Sequence, residues 1–248
     1  MAGRRKDPGL PAPWLRSIRL DAPIPDRAEY PFTLPWLDDD FEMAFEQPVT
    51  ILTGENGSGK STLVEAIAAL AGFPTTGGGA WSGDAALSSA EGGPALLARQ
   101  LRPGWLPKVG QGWFLRAASF SAVAEMTASD YLSVSHGEGF AELMMDRMGG
   151  RGLFLLDEPE AALSPRRQAE LLAFLSAIQR EADAQVIMAT HSPILMAVPG
   201  ATLLRLSHRG IAPIRLRDTS HFRLYQSFAL DPEAFVEAAI AGDLDTLA

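Results

Sequence analysis

A chain of 248 residues, 47% of them hydrophobic, is long enough for one α/β domain with an embedded subdomain and a sizeable core. Its formal charge of −9 argues against a generally basic nucleic-acid-binding surface, and the absence of cysteine excludes disulfides and thiolate metal sites. No apolar run reaches about 18 residues, and Arg4-Arg5-Lys6 has no apolar segment behind it, so neither membrane insertion nor a secretory signal is expected, and a cytoplasmic location is.

Residues 1–26 are rich in proline and read as a loosely ordered lead-in, with a single domain over 27–248. Tyr30–Leu34 and Phe41–Phe45 are expected as strands of a small antiparallel sheet. Tyr30, Phe32 and Trp36 suit either the core or an adenine-packing role, and the core is the simpler reading. Val49–Thr53 reads as a buried strand and Thr62–Leu70 as a helix. Between them Gly54-Glu55-Asn56-Gly57-Ser58-Gly59-Lys60-Ser61 matches the phosphate-loop pattern G-x-x-x-x-G-K-[ST] at every fixed position. Its glycines free backbone N–H groups to wrap phosphate oxygens, and the helix that follows, with Thr62 in its first turn, points its positive end at the same anion. Lys60 would reach the β- and γ-phosphates of ATP, and the Ser61 hydroxyl would ligate Mg²⁺.

Residues 72–112 are dense in Gly, Ser and Pro and read as a flexible insertion broken by one helical piece, Pro94–Leu101. Trp113–Ala117 is a candidate strand, and a helical subdomain is expected over about 118–149. Within it Ser135-His136-Gly137-Glu138-Gly139 precedes apolar Phe140, Leu143, Met144 and Met148 at helical spacing, with Ser135 and Glu138 in a capping-box pattern. Leu153–Leu156 is an apolar run ending in Asp157-Glu158. A carboxylate at such a strand end can hold Mg²⁺, and its neighbour can polarise water as a general base, so Asp157 is assigned to the metal and Glu158 to the water. Ser164 and Pro165 open a helix whose buried stripe is Leu171, Leu172, Leu175 and Ile178. Val186–Thr190 is a further strand, before His191-Ser192-Pro193. Thr202–Ser207 and Ile211–Leu216 form a hairpin turning at Arg209-Gly210, and Asp231-Pro232-Glu233 opens a last helix stopping near Gly242. The alternation predicts a mainly parallel sheet flanked by helices.

In motif order the chain resembles the ATP-binding-cassette (ABC) ATPase superfamily, and within it the small stand-alone bacterial ATPases related to the SMC, RecF and OLD branch. The runs Ser135–Phe140, Leu156–Pro165 and Ala189–Pro193 carry the resemblance. It implies that His191 contacts the γ-phosphate, that Pro159–Ser164 continues through the family's D-loop, and that Ser135 and Gly137 bind the nucleotide held by the other copy in an ATP-dependent head-to-tail homodimer. His136 and Glu138 depart from the commonest transporter form of that signature. The family's metal-linking glutamine has no counterpart, and Arg116 and Ser119 are the candidates to replace it.

Three roles remain open for the ATP cycle. The SMC and RecF likeness implies action on DNA in repair or genome defence, with Arg205, Arg209, Arg215, Arg217 and Arg223 as a local basic cluster. A membrane-transporter subunit needs a separate membrane partner. An ATP-gated scaffold would dock an unidentified protein through residues 72–112.

Overall fold

A computed structural model describes residues 9–75, 77–79, 92–117 and 144–246. The strands are β1 (Leu15–Leu20), β2 (Glu42–Ala44), β3 (Val49–Thr53), β4 (Gly78–Gly79), β5 (Leu101–Trp105), β6 (Gly112–Arg116), β7 (Leu153–Asp157), β8 (Gln185–Ala189), β9 (Thr202–Ser207) and β10 (Gly210–Pro213). The helices are α1 (Lys60–Ala71), α2 (Gly92–Gln100), α3 (Pro165–Glu181), α4 (Ser220–Leu230) and α5 (Pro232–Ala241).

A seven-stranded sheet runs β10-β9-β3-β8-β7-β6-β4. From β9 to β6 every pairing is parallel, and antiparallel strands close both edges. β3, β7 and β8 are buried along their whole length because both faces are covered. Alternate side chains go to opposite layers. Leu52, Leu155 and Ile187 join one core with Leu63, Val64 and Ile67 of α1, whereas Ile51, Leu156 and Met188 join another with Leu171, Leu175 and Ile178 of α3. Each fully buried aliphatic side chain contributes roughly 1.5–3 kcal/mol, so the strand positions most apolar in sequence are those that fix the register. Ser164 caps α3, its hydroxyl oxygen accepting from Arg167 N–H, with Pro165 in the first turn.

A three-stranded antiparallel sheet, β2-β1-β5, covers the α1 side. Its composition corrects two expectations. Leu15–Leu20 belongs to its central strand rather than to a loose lead-in, and Leu101–Trp105 is ordered within the stretch read as a flexible insertion. Tyr30–Leu34 is not a strand. Phe32 N–H donates to Glu29 O (2.8 Å) and Leu34 N–H to Pro31 O (3.0 Å), giving turns where Pro31 and Pro35 lack the donors a ladder needs. Residues 80–91 and 118–143, including Ser119, Ser135, Gly137 and most of the expected helical subdomain, lie outside the described residues. Met144 and Met148 from its far end are buried in the α3-side core.

Gln185 joins the two sheets. Its Oε1 accepts from Trp14 and Leu15 N–H (2.9 Å each), and its Nε2 donates to Leu15 O (2.9 Å), all in buried surroundings. Gln185→Leu strands two backbone donors and one acceptor, and a loss of about 3 kcal/mol is expected in urea unfolding. A change under about 0.5 kcal/mol would mean that β1 docks by apolar contact alone.

The C-terminal hairpin and last helix lie close to expectation, with Asp231 capping α5 and left-handed Gly242 ending it. α4 between them was not foreseen. Neither α4 nor α5 has a buried residue, and the pair meets through Phe228 and Phe235, whose ring centroids are 5.5 Å apart.

Candidate nucleotide site

The phosphate loop leaves β3 at Thr53 and enters α1 at Lys60, at the C-terminal edge of the parallel strands, where α/β folds place ligands. Two glycines are dictated by neighbours. A Cβ on Gly54 would lie 2.4 Å from the Leu206 carbonyl oxygen of β9. One on Gly59, at φ 89°, would lie 2.8 Å from a Leu34 methyl. Gly57 (φ 78°) faces open space, and Glu55 and Asn56 are exposed beside it. Trp36 Nε1 donates to Ser58 O (2.7 Å), tying the loop to the turns before β2. Trp36 and Phe32 are core residues as expected, but Tyr30 is 49% exposed and its hydroxyl meets that of Thr62.

Lys60 is almost fully buried, and its Nζ donates to Gly54 O (2.8 Å) and Glu55 O (3.1 Å). Burial pulls its pKa down, with the charges of Glu158 and Asp157 opposing. The ammonium is thus held over the loop by neutral carbonyls, which a stronger anionic acceptor can replace.

Asp157 ends β7, directly across from Arg116 of β6 and Ala189 of β8. Burial raises its pKa, and the Ser61 hydroxyl and Arg116 offset part of that. Arg116 Nε lies 3.2 Å from Asp157 Oδ2, and its Nη2 lies 3.0 Å from Glu65 Oε1. Asp157 Oδ1 is buried with no hydrogen-bond partner. An orphaned oxygen on a carboxyl that also meets the Ser61 hydroxyl fits Mg²⁺, which takes few protein ligands and draws the rest from phosphate and water. Among the described residues there is no group of three or more His, Cys, Asp or Glu that could hold a metal ion.

Arg116 and Asp157 make a prediction on the apo protein. The pKa of Asp157 and that of Glu65, both raised chiefly by burial, are held down by Arg116. A carboxyl whose folded pKa is raised costs stability as pH rises through that pKa, and costs nothing below the unfolded value. Arg116→Met removes the cation that limits this cost. The expected loss is about 1–3 kcal/mol at pH 8, below the full buried-pair figure because the guanidinium is 32% exposed, and smaller at pH 5. Equal losses at both pH values, read by thermal unfolding, would contradict it.

Glu158 follows in a left-handed conformation (φ 48°, ψ 53°), uncommon for a residue with a side chain and costing of order 1 kcal/mol. Its N–H donates to Ala189 O (2.9 Å), and the turn leaves its carboxylate half-exposed, with Oε1 3.6 Å from His191 Nε2. His191 follows β8. Its backbone N–H donates to Glu160 Oε1 (2.5 Å), and the Thr190 hydroxyl donates to Glu160 Oε2 (2.7 Å). Burial raises the pKa of Glu160 against those two bonds. His191 Nδ1 lies 2.8 Å from Nε2 of His221 in the first turn of α4. Ser220 Oγ donates to Glu55 Oε1 (3.2 Å), so α4 starts against the phosphate loop.

Lys60, Ser61, Asp157, Glu158 and His191 therefore share one sheet edge. Glu160 and His221 had no assigned role in sequence. Glu160 lies within Leu156–Pro165 with no local partner to reveal it, and a lone histidine in a helix without an apolar stripe gives no sequence signal. A cleft of about 580 Å³ opens beside the loop, lined by Gly54, Ser58, Arg205, Arg209, His221 and Arg223 among others.

The chain is similar in parts to several known proteins. A family model described as "AAA domain, putative AbiEii toxin, Type IV TA system" matches residues 138–197, and one described as "AAA domain" matches residues 32–89. The Thiamine import ATP-binding protein ThiQ of Cereibacter sphaeroides is 46% identical over 56 residues, 23% of this chain. The chain spans about a quarter (24%) of that relative's length. The SMC head domain from Thermotoga maritima aligns with a TM-score of 0.44 at 13% identity, over 82% of this chain and 99% of that one. For cbiO1 from Clostridium perfringens, part of the ABC transporter complex cbiONQ, the values are 0.45, 15%, 91% and 99%.

Proposed function

We propose that the chain is a P-loop ATPase of the ABC superfamily, related to the SMC and OLD type, and that it binds Mg-ATP through residues 54–62 and hydrolyses it, a reading supported by the two AAA-domain matches. The observation that carries the reading is the convergence of Lys60, Asp157, Glu158 and His191 at one edge of the parallel sheet, with Asp157 Oδ1 left without a partner. Bound Mg²⁺ would supply charge neutralisation at the phosphates, held by Ser61 and Asp157. Lys60 binds the β- and γ-phosphates, Glu158 takes a proton from the attacking water, and His191 offers a donor to the γ-phosphate. Tyr30 is the exposed aromatic beside Thr62 that could pack on the base. Ser135 and Gly137 complete the site of the second copy in an ATP-dependent homodimer.

The cycle is linked to DNA in repair or genome defence, in the cytoplasm. The cleft arginines Arg205, Arg209 and Arg223 support a local phosphate-contacting surface. The test is ATP turnover with and without linear double-stranded DNA. Stimulation at low salt that fades as salt rises is the expected result. Turnover indifferent to DNA at every salt concentration would sink the DNA link and leave the ATPase standing. The match to a thiamine-import ATP-binding protein favours a second reading, a transporter subunit, which would require a membrane partner. No helix among the described residues is long and apolar enough to cross a membrane.

A further inference from the structure

We propose that His221 is a positioning residue that fixes the tautomer of His191, so that His191 Nε2–H presents a hydrogen-bond donor to the space beside Glu158. Its kinetic consequences rest on the ATPase reading; the tautomer does not.

Two imidazoles whose nitrogens lie 2.8 Å apart are bonded through one proton, donated by one ring and accepted by the other. Both rings have pKa values below the usual histidine range, so the neutral pair is the form to consider at neutral pH and above. Burial, then the charges of Lys60 and His221, lower the pKa of His191, and burial lowers that of His221 against the pull of Glu55. Two arrangements remain. If His191 Nδ1–H donated to His221, the lone pair of His191 Nε2 would face the Glu158 carboxylate at 3.6 Å, negative against negative in a partly buried setting. If His221 Nε2–H donates to His191 Nδ1, the Nε2 of His191 carries its proton and faces that carboxylate with an N–H. The second arrangement is favoured by the charge it faces.

His191 Nε2 is buried and has no hydrogen-bond partner among the described residues, because 3.6 Å is too long to Glu158. A buried donor without an acceptor is costly, and an oxygen of a phosphate or of a water placed there would satisfy it. His221 is itself held in place. Thr219, 3% exposed, caps α4 by accepting from Phe222 N–H (3.2 Å) while its hydroxyl donates to Leu216 O (2.7 Å). The Ser220–Glu55 bond then pins the helix start to the phosphate loop. The helix therefore reaches the chemistry through one ring nitrogen.

A purely structural role is the rival, since the rings also pack with centroids 5.0 Å apart. His221→Phe keeps a ring and removes the donor, whereas His221→Gln keeps an N–H donor and removes the ring. The test is a long-range proton–nitrogen NMR correlation of the histidine rings in the full-length wild type and both variants without nucleotide, alongside kcat and KM for ATP. The expected wild-type spectrum shows His191 as the Nε2–H tautomer, retained in His221→Gln and lost or mixed in His221→Phe. In parallel, kcat of His221→Phe falls roughly 10- to 100-fold with KM unchanged, and His221→Gln recovers most of it. An Nδ1–H tautomer for His191 in the wild type, or a tautomer that His221→Phe leaves untouched, overturns the proposal. Should the wild type hydrolyse no ATP, the spectra still decide the tautomer while the ATPase reading fails separately.

Discussion

Lys60→Ala is expected to weaken ATP binding by roughly 100-fold or more, while the apo protein changes stability by no more than about 1 kcal/mol. The two effects separate because the lysine is held differently in the two states. Without nucleotide its ammonium donates to two loop carbonyls and carries a burial penalty that depresses its pKa. Removing the side chain gives up two hydrogen bonds and relieves that penalty at once, so the terms largely offset. With nucleotide the same ammonium would meet phosphate oxygens, and bonds to charged acceptors are each worth about 1.5–3 kcal/mol. Titration calorimetry with ATP and thermal unfolding of the apo variant check both halves. Unchanged affinity would remove the phosphate-loop assignment, and a large drop in apo stability would mean that the binding loss reports unfolding.

Glu158→Gln is the second large effect. The substitution conserves shape and the left-handed backbone at residue 158 but deletes the base. Turnover is expected to fall by about 10²–10⁴-fold, the usual range for a general base, with ATP affinity retained. A nucleotide that binds and is not cleaved should hold two copies together, so the variant is expected to run as a dimer in saturating Mg-ATP and as a smaller species without it. Light scattering under both conditions checks this. A variant that stays monomeric with ATP bound would count against the head-to-tail arrangement, and one that hydrolyses ATP at the wild-type rate would remove Glu158 from the chemistry.

The parallel sheet was legible because its strands are buried on both faces, so Leu153–Leu156 and Val186–Ala189 are unbroken apolar runs and Val49–Leu52 is interrupted only by Thr50. The phosphate loop and the Asp157-Glu158 pair were legible for a related reason. Backbone curvature around an anion demands glycine at fixed spacings, and a strand end fixes where the carboxylates emerge. β1 was not legible. Its sequence Leu-Arg-Ser-Ile-Arg-Leu does not alternate cleanly, and what holds it is distant in sequence: the ladders to β2 and β5 and the side chain of Gln185. The first strand expected after it failed because two prolines fill the run with turns. α4 was hidden by a different cause. A helix with no buried residue has no apolar stripe facing a core, and the function of its first turn lies in contacts to Glu55 and His191 that no local pattern encodes. The same holds for Glu160, whose two oxygens clamp Thr190 and His191 across the sheet edge. Arg116 is intermediate. Its position at the end of β6 was anticipated, but its pairing with both Glu65 and Asp157 follows only from the parallel register.

Phosphate release from ATP by the purified wild-type protein, with and without Mg²⁺ and beside Glu158→Gln, tests the central claim most directly. Metal-dependent turnover in the wild type that falls at least about 100-fold in the variant is the expected result. Equal release by the two proteins, or none by the wild type at any Mg²⁺ concentration with ATP bound, would contradict it.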